Sequence, residues 1–263
     1  MNSATPETPE ALAFSTAVLS AWRDVRDALT ALFTPALIAF LILLALFIVK
    51  ARVMPTGLVM ENLFYEAVKA FLMTPYAIAV HRFIILGEKT TTYRIAPSEP
   101  RFRRFFAWSL ALSMLANAGA AISLMLPGYT VLNAILEPVF GIAAIVVGIR
   151  AIVLFPAVAV DAPGANWRQA MADTDGRVWQ IFFIIVAVTL SLFAVAGLAW
   201  VAIRFSILDE SVIAPKDPMG RFWTPSLWQM AFWAIVGLFM YTLAVVIASR
   251  LYQWIGIRVK ERG

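Results

Sequence analysis

The chain has 263 residues, 62% of them hydrophobic and only 14% charged, with a mean hydropathy of +0.82. A soluble domain carries about 45–50% apolar and about 25% charged residues, so a water-facing globule is excluded: too little polar matter exists to cover the surface, and the solvent is a lipid bilayer. Cysteine is absent and the net charge is +5, which excludes disulfide frameworks, thiolate metal sites and cysteine nucleophiles. In such a chain a basic balance points to cytoplasmic loops beside anionic lipid rather than to nucleic acid.

Residues 1–10, MNSATPETPE, carry two glutamates, two prolines and no basic residue. They lack the positive n-region of a signal peptide and read as a disordered polar tail ahead of a single membrane domain over 11–263. Phe14, Val18, Trp22, Val25, Leu29 and Leu32 then recur at spacings of four and three, the pattern of an amphipathic helix. Arg23, Asp24, Arg26 and Asp27 fall largely off this stripe. Such a helix either lies in the membrane interface with Trp22 at headgroup depth or packs on the bundle, and the sequence leaves both open.

Six apolar segments follow, at 29–49, 58–86, 105–126, 131–159, 178–203 and 227–257. Each reaches the roughly 20 residues that cross ~30 Å of hydrocarbon. The expected fold is all-α, six transmembrane helices in antiparallel hairpins, with the short PGYT link at 127–130 forcing spans three and four together. A short amphipathic helix is expected at 167–173, stopped by Gly176. An even number of spans puts both termini on one side. That side carries Arg23, Arg26, Lys89, Arg94, Arg101, Arg103, Arg104, Arg168, Arg177, Arg258, Lys260 and Arg262, against Lys50, Arg52, Arg204, Lys216 and Arg221 opposite. Twelve against five places both termini in the cytoplasm.

The even-numbered spans share a feature. AIAVHRFIIL, IVVGIRAIVL and VVIASRLYQW each set an arginine, Arg82, Arg150 or Arg250, near the cytoplasmic end, a weak signature of three related hairpins. Side chains lean toward their own helix N-terminus, here away from the cytoplasm. Two outcomes are therefore open. The arginines pair with carboxylates on that side (Glu88, Asp161, Asp173, Asp175), or they converge with Arg103 and Arg104 into one basic pocket for an anionic lipid headgroup, with His81 on its rim.

Residues 149–182 read IRAIVLFPAVAVDAPGANWRQAMADTDGRVWQIF. Arg150, the run Pro156, Ala157, Val158, Ala159, Val160, Asp161, and Gly176, Arg177, Val178, Trp179 resemble the YciC-like group of bacterial inner-membrane proteins, which includes the membrane domain of some glycerophosphoryl diester phosphodiesterases. AVHRFIILGE at 79–88 adds to the likeness. The resemblance implies residence in the inner membrane. It implies no phosphodiesterase activity, because that catalysis resides in a separate soluble barrel. Asp175 stands where the group has a basic residue, and Ala170 and Met171 replace a serine–tryptophan pair.

Elsewhere the motifs of chemistry are incomplete. Asp173, Asp175 and Gly176 lack the further oxygen ligands of a calcium loop, GEKTTT at 87–92 lacks the first glycine of a phosphate loop, and with His81 the only histidine no triad or metal cage is advertised. No enzymatic activity and no cofactor are expected. Glu66, Lys69 and Glu137 are the remaining intramembrane polar candidates; Glu66 and Lys69 share a helix face and can neutralise each other. The expected role is a non-enzymatic accessory, scaffold or envelope-maintenance protein, the alternative being a transporter or channel for a small or lipid-like solute. Membrane lipids, anionic ones among them, and a membrane-protein complex are the expected partners.

Overall fold

The computed structural model describes residues 14–52, 59–125, 130–206 and 227–260. Among them the chain is helical: α1 Phe14–Ala31, α2 Phe33–Arg52, α3 Val59–Leu86, α4 Pro100–Met125, α5 Thr130–Ala151, α6 Leu154–Ala159, α7 Trp167–Asp173, α8 Val178–Ser206 and α9 Leu227–Lys260. Six of these, α2, α3, α4, α5, α8 and α9, are long and apolar enough to cross a membrane. The polar tail at 1–10 and the link at 127–129 lie outside the described residues.

Boundaries follow local chemistry. Pro35 lacks the N–H that would bond the Ala31 carbonyl, and α1 and α2 part at that turn, joined through Leu32 N–H to Ala28 O and Ala36 N–H to Leu32 O. Helix α4 begins five residues earlier than its hydropathy suggests, because Pro100 suits the first helical position. The fourth span is shorter than expected. It ends at Ala151, since Pro156 withholds a donor from the Ile152 carbonyl and its ring opposes a continuous ladder, and residues 154–159 form the separate helix α6.

The core lies between α3 and α9. Ala234, Leu238, Thr242, Val245 and Ser249 recur at spacings of four, four, three and four on α9, against Met73, Tyr76, Ala77 and Val80 of α3, all buried. Half of the apolar window of α9 (50%) is covered by protein, against 11% and 12% for α4 and α5. Those two helices form a peripheral hairpin that the rest of the protein leaves largely uncovered.

Helix α1 packs inside the bundle rather than in the interface. Among the residues of α1 whose burial is described, Ala21, Asp24, Val25 and Ala28 are buried, as is Leu32 in the following turn, while Leu19 is exposed. Trp22 Nε1 donates to Ser191 Oγ at 3.0 Å, about 20 Å along α8 from Val178 at 1.5 Å per residue. The inner face is centred on small residues, one step round from the large apolar stripe, and it includes Asp24.

Candidate functional site

Polar side chains concentrate in two places, a seam between α3 and α9 and the end of the bundle where α3, α5 and α6 terminate. In the seam Tyr76 Oη and Thr242 Oγ1 share a hydrogen bond of 2.7 Å, as do His81 Nδ1 and Ser249 Oγ. Thr242 and Ser249 also donate to Leu238 O and Val245 O one turn back on their own helix. His81 is 1% exposed and meets the Phe105 ring at 5.7 Å. In hydrocarbon an unpaired imidazole is costly, and a hydroxyl across the interface removes that cost while locking the helices together. His81 thus lies inside the bundle, away from the rim on which a lipid pocket would have placed it.

At the bundle end each arginine has its own carboxylate. Gly87, with φ +71°, closes α3 in the left-handed conformation glycine favours, its N–H on Phe83 O. This turns Glu88 back onto Arg82, whose Nε and Nη2 donate to Oε2 and Oε1 at 2.6 Å each. Those bonds hold the Glu88 carboxyl below its usual range, since they favour the charged form. Arg82 Nη1 also donates to Ala159 O at 3.2 Å, gripping the last residue of α6.

The α6 end is closed by Asp161. Its φ of +51° is one that few residues other than glycine and Asn or Asp adopt, and its carboxylate takes the Arg101 guanidinium. Arg150, one residue before the end of α5, donates through Nη2 to Met171 O at 2.9 Å and to Asp175 Oδ1 at 3.1 Å. Thr174 Oγ1 answers by donating to Arg150 O at 3.2 Å and to Ala170 O at 2.9 Å. Helix α7 is capped by Asn166, whose side chain accepts from Gln169 N–H at 2.9 Å, and Asp173 accepts from Gln169 Nε2 at 3.1 Å. The PAVAVD and DTDG stretches are thus structural caps that fasten α6 and α7 beneath the spans.

Arg250 binds Asp24 with both arms of its fork, Nε to Oδ2 at 2.6 Å and Nη2 to Oδ1 at 2.7 Å. Its Nη1 reaches Gln253 Oε1 at 3.1 Å, and Gln253 Nε2 donates to Ile84 O at 3.2 Å. One chain of bonds therefore ties α1, α9 and α3. Asp24 is the site residue that the periodicity missed, because the expected stripe put it outside.

Among the described residues the three arginines share no partner: Arg82 goes to Glu88 and α6, Arg150 to α7 and Asp175, Arg250 to α1. The only signal for a common pocket was similar depth. Each side chain closes on a segment that follows or crosses its own helix end, as three separate clamps. Arg103 and Arg104 are exposed and make no ion pair among the described residues.

A cavity of about 250 Å³ opens between α3 and the returning segment 87–99. Arg82, Glu88, Lys89, Arg94, Glu99 and Arg101 line it, together with Pro75, Ile78, Ala79 and Phe102; Arg150 and Arg250 do not. Pro75 removes the N–H due to the Phe71 carbonyl and spreads the ladder in that turn, where Leu72 O accepts from Tyr93 Oη at 2.5 Å. Burial pushes the Tyr93 hydroxyl above the usual tyrosine range.

Glu66 and Lys69 stand in the other half of α3, bonded to each other at 2.7 Å. The Tyr65 ring lies 4.8 Å from Lys50 Nζ and 5.7 Å from Lys69 Nζ. The pair is self-neutralised, and neither residue lines the cavity. The Glu137 side chain lies outside the described residues.

Fold and charge placement define an all-α, multi-pass membrane protein with six span-length helices. No family model, no curated protein and no solved structure gives a significant match to this chain.

Proposed function

We propose that the chain is a non-enzymatic inner-membrane protein that serves as an accessory or scaffold of the envelope, with both termini in the cytoplasm. The observation that carries this reading is the closed set of clamps. Arg82, Arg101, Arg150 and Arg250 are each engaged by a carboxylate of the chain itself, which suits charges used to fix helix ends rather than to move a substrate. Orientation rests on the twelve-to-five split of basic residues, and the inner membrane on the resemblance of residues 149–182 to the YciC-like group.

Purification in native lipid, followed by identification of co-purifying protein, tests the role. A stoichiometric membrane-protein partner is the expected result. Solute-dependent flux in proteoliposomes containing the chain alone would overturn it in favour of transport.

A further inference from the structure

The segment 87–99 folds back over α3 and leaves the cavity described above, and its lining divides by chemistry. On the α3 and α4 side Pro75, Ile78, Ala79 and Phe102 form an apolar patch beside Arg82 and Arg101; the loop side presents Lys89, Thr90, Thr92 and Arg94. Four cations and two carboxylates line it altogether, and the donors are not used up. Arg82 is engaged by Glu88, but Lys89 makes no ion pair among the described residues, and Arg94 approaches Glu99 only at 3.9 Å. Arg101 is already paired to Asp161.

We propose that this cavity binds a phosphate ester. Phosphate oxygens accept from Lys89 Nζ and the planar Arg94 fork, a cationic donor pair suited to them, while the apolar patch receives the carbon skeleton. A phospholipid headgroup and a soluble phosphoester share this chemistry. The assignment goes beyond the accessory role and does not depend on it, since a scaffold and a carrier could hold such a ligand equally.

The test compares Lys89→Gln/Arg94→Gln with Arg103→Gln/Arg104→Gln. All four residues are exposed, so both variants fold, and the second pair is outside the cavity lining. In one arm, binding of phosphatidylglycerol to the full-length protein is measured by native mass spectrometry against phosphatidylcholine. In the other, delipidated protein is titrated with glycerol 3-phosphate by thermal shift. Loss of two charge-assisted contacts predicts about a tenfold weaker affinity for the cavity variant and a change of less than about twofold for the control. An effect in the lipid arm assigns the site to a headgroup, and an effect confined to the second arm assigns it to a soluble ester. Equal losses in the two variants, or no loss in either arm for Lys89→Gln/Arg94→Gln, would overturn the proposal.

Discussion

Removing one end of the Asp24–Arg250 clamp should cost very different amounts depending on which end is removed. The Asp24 side chain is 11% exposed and that of Arg250 49%. Arg250→Met keeps the aliphatic stem but strands a carboxylate in the core, and breaking a buried pair this way costs about 3 kcal/mol, the low edge of the usual range. Asp24→Ala strands a guanidinium that already reaches the interface and still has Gln253 Oε1 at 3.1 Å, a loss of about 1 kcal/mol, close to that of an exposed pair. The double variant should then be more stable than Arg250→Met alone, because the stranded carboxylate is gone. Unfolding by SDS in mixed micelles, followed by tryptophan fluorescence, gives the three free energies. Equal losses for the two single variants, or strictly additive losses in the double, would refute the assignment of Asp24 as the buried partner.

Three further outcomes are expected. A double-mutant cycle of His81→Ala and Ser249→Ala should show coupling of about 0.6 and at most about 1.7 kcal/mol, as for other interhelical bonds in bilayers; zero coupling would mean the two side chains do not stabilise each other. The Glu88 carboxyl titrates below its ordinary 4.5 in the folded protein, so its contribution is complete above that pH and vanishes as pH falls through the folded value; the stability gap between wild type and Glu88→Gln should therefore close on acidification, and a gap that widens would contradict the clamp. Gly176 has φ +72° and open space where a methyl group would stand, so Gly176→Ala should cost about 1–2 kcal/mol in backbone strain alone, whereas helical Gly197→Ala, equally uncrowded, should be neutral or stabilising in the same SDS unfolding assay.

The spans were legible because hydrocarbon thickness imposes a length and composition that any bilayer-crossing helix must meet. Helix α7 was legible too, since an asparagine cap and a left-handed glycine bracket it. The break at Ala151 was visible in principle through Pro156, but a run as apolar as IRAIVLFPAVAV hides it. The clamps were half legible: Glu88, Asp161 and Asp175 were expected at the same end of the bundle as the arginines, while which arginine each one takes depends on loop geometry that spacing does not encode. Asp24 was hidden because hydrophobic periodicity weighs large residues, whereas α1 buries its alanine face, where a carboxylate fits beside Ala21 and Ala28. The α3–α9 seam was missed for a similar reason. Thr242 and Ser249 look unremarkable in an apolar helix until Tyr76 and His81 are brought opposite them.

Single-cysteine labelling tests the six-span bundle most directly, because the chain has no cysteine of its own. Ser3→Cys, Ser98→Cys and Lys216→Cys are expressed separately and probed with a membrane-impermeant maleimide in intact and in opened cells. With six spans and cytoplasmic termini, Lys216→Cys is labelled in intact cells, and Ser3→Cys and Ser98→Cys are labelled only once the membrane is opened. Labelling of Ser98→Cys and Lys216→Cys from the same side would contradict this arrangement.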